Sequence, residues 1–344
     1  MNTNYLILSC DGGGIRGLIT ALLIQDLNNS FNILDKVDLY AGTSTGGLLS
    51  VALGHDISIE TLIDMYMTKG AEIFKPYDPA KREHNILKKA VEELEFSVLP
   101  SWLKHVKYNN TGLKEILGTF YSGDLTLADL KHHVFATTFQ LYNTGEQRWM
   151  PMYMSNLPKS PTADIKALDA SLCTSAAPLY FPPHKAGAKF GYCVDGGVFA
   201  NNPSLFAFST VMGSGILGEQ GKTFDNIRLL SLGTGITKAG ITEEQVDKIG
   251  PLDYGAIAWL FPFDEKPTPA FPLLEILMDG SMEVDTAQSK LVLDDRFTRG
   301  NVVMTKDISM DDYTKVDVLQ QMAKDYMATA EWQRLKDWVK ENFV

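Results

Sequence analysis

Short apolar runs in this chain are followed repeatedly by segments whose apolar residues recur at helical spacing. The run Tyr5-Leu6-Ile7-Leu8 predicts a strand near Asn4–Cys10, and the apolar period from Leu18 to Leu27 predicts the helix after it. Val37–Gly42 predicts a second strand, followed by the small-residue helix STGGLLSVALG. Further strand-like runs stand at HHVFATTFQLY, GYCVDGG and IRLLSLGTG. Strand, turn and helix in succession predict an α/β fold, with a central, mostly parallel sheet flanked by helices. In such sheets working residues collect at the carboxyl ends of strands.

Two blocks interrupt the alternation. One is charged and helix-prone, KREHNILKKAVEELEF followed by SVLPSWLKH; the other, GPLDYGAIAWLFPFDEKPTPAFPLL, is rich in proline and aromatics. Each reads either as a completion of the core or as a lid over a cleft. The last segment, Val316 to Phe343, predicts one packed amphipathic helix. With no internal repeat or linker, residues 1–344 are expected to form a single domain, with core motifs over 4–235 and a helical completion over 236–344.

Composition narrows the functions open to such a fold. A formal net charge of -11 argues against nucleic acid as a partner, and against adsorption to anionic bilayers by charge alone. The three cysteines, Cys10, Cys173 and Cys193, cannot all pair and show no metal-binding spacing, so no metal is expected and a reducing compartment is. The N-terminus lacks a basic region before its short apolar run, and no 18-residue apolar stretch occurs. A cytoplasmic protein without signal peptide or transmembrane helix is the expectation.

The stretch CDGGGIRG matches G-x-G-x-x-G at Gly12, Gly14 and Gly17, between the first strand and its helix. Such a loop can cradle a nucleotide phosphate or present amides to an oxyanion. The pattern alone is weak, since GSGILG (Gly213–Gly218) matches it too. A dinucleotide site also requires an acidic residue ending the second strand, where Gly42-Thr43-Ser44 stand instead; Asp38 lies at that strand's beginning.

That strand end carries GTSTGG, a G-x-S-x-G pattern. Gly42 and Gly46 permit a sharp strand-to-helix turn that lifts the Ser44 hydroxyl from the sheet, at a helix N-terminus that favours negative charge. Ser44 then needs a proton acceptor. His55, His84, His105, His132 and His133 each read as ordinary surface or core histidines, while His184, in YFPPHKAG, stands as an alternative base. Asp195, in YCVDGGVFANNP, places a carboxylate at a strand's carboxyl end; taken alone, it also fits a plain Asp-Gly turn through Gly196.

Together DGGGIRG (Asp11–Gly17), GTSTGG (Gly42–Gly47) and DGG (Asp195–Gly197), in that order, resemble the patatin-like phospholipase family. TSAAPLYFPP (Thr174–Pro183) and LSLGTG (Leu230–Gly235) look like further family segments, so the similarity spans most of Asn4 to Gly235. The resemblance implies a patatin-like variant of the α/β hydrolase fold and a Ser-Asp dyad. Ser44 would be the nucleophile, Asp195 the proton acceptor, and the amides of Gly12, Gly13 and Gly14 the oxyanion hole. Arg16 would brace that loop or attract a lipid phosphate, Asp11 would be its structural partner, and Asn201 and Asn202 would shape the turn after Asp195.

The implied reaction is hydrolysis of acyl esters of glycerolipids through an acyl-serine intermediate, with no cofactor. Lipid or another acyl ester is the expected partner, and contact with a membrane would be peripheral. The segment AIAWLFPF (Ala256–Phe263) would pack in the core, hold an acyl chain or dip into a bilayer. Some bacterial relatives are switched on by a protein or a cyclic nucleotide, and no motif for either activator is visible here. The alternatives are a soluble carboxylesterase of the same mechanism, an inactive lipid-binding or signalling module of the same fold, and the already weakened nucleotide-binding oxidoreductase.

Overall fold

The computed structural model describes residues 4–78, 105–260, 268 and 271–344. Nearly all of the charged block, with His84, and residues 261–263 of the AIAWLFPF segment lie outside the described residues.

The described strands are β1 (Tyr5–Cys10), β2 (Leu39–Thr43), β3 (His133–Asn143), β4 (Arg148–Ser155), β5 (His184–Lys185), β6 (Tyr192–Asp195), β7 (Ile227–Leu232) and β8 (Phe297–Gly300). They form one sheet in the order β5-β6-β3-β2-β1-β7-β8, with β4 also paired to β3. From β3 to β8 neighbours run parallel, whereas β4 and β6 are antiparallel to β3 and β5 is antiparallel to β6. Every residue of β1 and β2 is buried, as expected of parallel strands covered on both faces.

The period of two along β1 divides the core. Leu6, Leu8 and Cys10 join the cluster built with α1 (Gly17–Phe31), α2 (Thr45–Gly54) and α3 (Ile59–Thr68). Tyr5 and Ile7 point the other way, into a cluster that includes Ala207, Phe208 and Val211. Those three lie on a helix further along the chain. The remaining helices that matter here are α4 (Thr111–Phe120), α5 (Ala167–Thr174), α6 (Gly197–Ala200), α7 (Ser204–Ser214), α8 (Pro272–Leu293), α9 (Val316–Met327) and α10 (Ala330–Phe343).

The segment from Val316 to Phe343 is thus two helices, not one. Thr329 accepts a hydrogen bond from the Trp332 amide at 3.2 Å and starts α10 as its N-cap. Nor is the stretch after residue 235 only helical, because Phe297–Gly300 adds β8 to the sheet edge. Four residues reading FTRG carry too little alternation to announce a strand.

Strand β3 positions the site. Leu39–Thr43 pair with His133–Thr137, and Asp195, Val194 and Cys193 pair with Thr138, Phe139 and Gln140. Along both stretches β4 occupies the opposite edge of β3, so β2 and β6 lie end to end on one edge. Their carboxyl ends meet at Thr137 and Thr138. The sequence places Asp195 and Ser44 at carboxyl ends of strands, and so they lie; β6 approaches β3 antiparallel while β2 runs parallel to it, and β3 acts as the common ruler.

Candidate active site

Ser44 sits at a strained turn. Ser44 has φ 55° and ψ −122°, a backbone region that costs a non-glycine residue about 1–3 kcal/mol. Its amide donates to Thr174 Oγ1 at 2.9 Å, and its carbonyl accepts from the Leu48 amide at 2.9 Å. Glycine is required on both sides, because a Cβ on Gly42 would lie 2.0 Å from the Gly46 carbonyl oxygen.

Asp195 sits across the strand junction, only 2% exposed. Its Oδ1 accepts from the Gly197 amide at 2.7 Å, while Oδ2 is buried without a hydrogen-bond partner. Burial pushes its pKa up to about 7, with the neighbouring Ser44 hydroxyl and the Gly197 amide pulling the other way. Thr43 Oγ1 donates to the Ala200 carbonyl at 2.6 Å and Thr138 Oγ1 to the Val194 carbonyl at 2.8 Å, tying the aspartate segment to β2 and β3. Gly196 runs against β3 so closely that a Cβ there would lie 2.1 Å from Thr137 Oγ1.

The glycine loop corrects one expectation. The Gly12 amide donates to the Asn201 carbonyl at 3.0 Å, so it is not open to an oxyanion. Thr234 Oγ1 donates to the Gly12 carbonyl at 2.7 Å, and the Gly13 carbonyl accepts from the Arg16 amide at 3.2 Å and from Arg16 Nε at 3.4 Å. In a trans peptide the N–H points opposite to the C=O. Anchoring the Gly12 and Gly13 carbonyls therefore turns the Gly13 and Gly14 amides the other way, and Gly14 shares the wall of one pocket with Ser44.

Arg16 thus has bracing geometry, and its guanidinium also partly offsets the effect of burial on Glu275 and Asp279 of α8. Asp11 is fully buried beneath the loop and bound by both arms of Arg299, at 3.1 and 2.5 Å. Burial pushes its carboxyl up and Arg299 pulls it back. Sequence reasoning missed Arg299, and although it singled out the segments that hold Thr174 and Thr234, it gave neither threonine a role.

No histidine serves the site among the described residues. His184 Nε2 is 2.8 Å from Asp169 Oδ1, and His132 Nε2 is 2.9 Å from Asp56 Oδ1. In the GSGILG match, Gly215 ends α7 in a left-handed conformation, φ 89°. Asn202 shapes its turn as expected, its Oδ1 accepting from the Ser204 amide at 3.1 Å. No group of residues able to hold a metal occurs among the described residues.

Ser44 opens on an apolar pocket of about 40 Å³ whose wall includes Leu48, Met65, Phe74, Leu113, Phe181 and Met310. From the proline- and aromatic-rich block, Ala258 is buried, Trp259 packs on Tyr254 with ring centroids 5.2 Å apart, and Leu260 is exposed. Among the described residues no helix is long and apolar enough to cross a membrane.

A parallel-centred sheet flanked by helices, with a tight serine turn at the end of its second strand, makes the molecule a mixed α/β protein. The chain belongs to the patatin-like phospholipase family, whose model matches residues 8–208. It is 29% identical over 316 residues to Patatin-like protein 1 of Arabidopsis thaliana, covering 83% of this chain and 70% of that protein. A cGAMP-activated phospholipase of Pseudomonas aeruginosa is 32% identical over 213 residues, covering 60% of this chain and 56% of that enzyme's length. The chain thus spans little more than half of that bacterial relative. Among solved structures, Human GIVD cytosolic phospholipase A2 aligns with a TM-score of 0.41 at 11% identity, covering 99% of this chain and 60% of that one.

Proposed function

We propose that the protein is a lipid acyl hydrolase that cleaves acyl esters of glycerolipids through an acyl-Ser44 intermediate. Ser44 Oγ attacks the ester carbonyl while Asp195 takes its proton; the ester C–O bond breaks, Asp195 gives that proton to the departing alcohol, and the Gly13 and Gly14 amides stabilise the oxyanion. The observation that carries this reading is the meeting of a buried carboxylate of pKa about 7 with Ser44, which itself forms part of the wall of an apolar pocket. A carboxyl with the ordinary pKa of about 3.9 is a poor base for an alcohol, and the raised value makes it a better one. Each oxyanion donor would contribute about 10²–10³ in rate.

Family membership supports the substrate class, and so does the mostly apolar pocket wall, which offers an acyl chain Leu48, Phe74, Leu113 and Phe181. The Pseudomonas relative is a cGAMP-activated phospholipase, so the assay of this chain is run with and without cGAMP. Phospholipid vesicles incubated with wild type and Ser44→Ala, with free fatty acids and lysolipids read by mass spectrometry, test the proposal. Ser44-dependent fatty-acid release is expected. Equal release by both proteins would remove Ser44 from the mechanism.

One observation favours a second reading, a soluble carboxylesterase. The pocket of about 40 Å³ accepts a short acyl group as it stands, whereas a long chain requires side chains such as Met65 and Met310 to move. A series of esters from acetyl to palmitoyl separates the two: rates rising with chain length support the lipid reading, and a maximum at acetyl or butyryl supports the esterase.

A further inference from the structure

The acyl-enzyme must be cleared by water, and that water needs a holding site beside Ser44. Two buried acceptors near Ser44 have no hydrogen-bond donor: Asp195 Oδ2 and Asn201 Oδ1. Asn201 is 4% exposed and Asp195 2%. A Cβ placed on Gly12 would lie 2.2 Å from Asn201 Oδ1 and 3.2 Å from Ser44 Cβ, so the amide oxygen and the nucleophile flank one point. A Cβ on Gly197 would lie 3.2 Å from Asp195 Oδ1 and 3.3 Å from Asn201 Oδ1, so the same amide oxygen also flanks the carboxylate. Buried acceptors without donors are costly, and two such acceptors, one on the amide that flanks the other's carboxyl group, are what a single water with two protons to give would satisfy.

The backbone of Asn201 is fixed for such a task. Its carbonyl accepts from the Gly12 amide at 3.0 Å, and its own amide donates to Ser281 Oγ of α8 at 3.2 Å. Gly12 acquires a reason in the same stroke. Any larger residue there would collide with the Asn201 amide, and its N–H serves Asn201 rather than an oxyanion.

We propose that Asn201 is a positioning residue for the deacylation step, holding the hydrolytic water between its Oδ1 and Asp195 Oδ2. The inference rests on the acyl-Ser44 reading and deepens it. Water bonded to both acceptors attacks the acyl carbonyl carbon and gives one proton to Asp195 Oδ2. The tetrahedral intermediate then collapses, the bond to Ser44 Oγ breaks, and Asp195 returns the proton to Ser44 Oγ. The products are free carboxylic acid and restored serine. Acylation needs Asp195 but not this water, so loss of Asn201 slows the second half-reaction selectively.

The test is pre-steady-state hydrolysis of a p-nitrophenyl ester by wild type, Asn201→Ala and Gly12→Ala, with intact-protein mass spectrometry on samples quenched during turnover. For Asn201→Ala the expected result is kcat reduced at least tenfold, kcat/KM within about threefold of wild type, a burst of p-nitrophenol, and an acyl adduct on Ser44. Gly12→Ala, which displaces the Asn201 amide without removing it, should give the same adduct. Parallel loss of kcat and kcat/KM in a folded Asn201→Ala, with no adduct, would overturn the proposal and assign Asn201 to acylation. A wild type that never forms an adduct and releases no product would instead count against the acyl-serine reading itself.

Discussion

Ser44 holds a backbone conformation that glycine tolerates and alanine does not. Ser44→Ala and Ser44→Gly both remove the hydroxyl, so the difference between them isolates the turn. Ser44→Gly is expected to be more stable than Ser44→Ala by about 1 kcal/mol or more in urea denaturation, with both inactive. Equal stabilities would show that the turn carries no strain. Asp195 titrates at a second level. Its folded pKa of about 7 lies above the ordinary carboxyl value of 3.8, so the folded state keeps its proton where the unfolded chain has lost it. The stability this gives is present in full below the unfolded value and is lost as pH rises through about 7. Asp195→Asn should therefore match wild type in acid and exceed it increasingly up to about pH 7, with a constant difference above. In wild type, kcat/KM should rise with pH through the same value, because the base must be ionised. An acid limb near pH 4 would contradict both expectations.

At the scale of elements, the loop that precedes α1 depends on β8. Asp11 is fully buried, and its charge is met by both arms of Arg299. Arg299→Met removes the partner and leaves the carboxylate behind, which should cost about 3–5 kcal/mol of stability. Adding Asp11→Asn should recover part of that loss. A cost below about 1 kcal/mol by urea titration would mean that the pair does not hold the loop. The same elements show what was legible beforehand. Strands β1, β2, β3, β6 and β7 announced themselves by apolar runs, and the elbow by its glycines. Helix α8 did not: Leu274, Met278 and Met282 are buried while Leu273, Ile276, Leu277 and Val284 are exposed, so no polar face marks it, and proline-rich sequence leads into it. Arg299 and Thr234 were illegible for a different reason. Each acts on the glycine loop across the sheet, from strand ends whose own sequence carries no sign of the contact.

At the scale of the whole molecule, charge and site pull in different directions. The chain carries a formal net charge of -11, yet the proposed substrate sits in membranes whose cytoplasmic surfaces are anionic. Like charges raise the cost of approach until salt screens them; the Debye length falls from ~30 Å at 0.01 M to ~8 Å at 0.15 M. Fatty-acid release from vesicles containing anionic lipid should therefore increase several-fold over that range of salt, while release from purely zwitterionic vesicles should stay level. The apolar pocket is insensitive to salt at these concentrations, so the comparison isolates the encounter from the chemistry. A rate on anionic vesicles that fell with salt would point to a local cationic contact strong enough to outweigh the net charge, although half-exposed lysines such as Lys107 and Lys166 are already engaged by Asp311 and Asp124. Family membership supports a lipid acyl ester as the proposed substrate. The sign of this salt effect tells whether the chain meets that ester by attraction or reaches it against its own field.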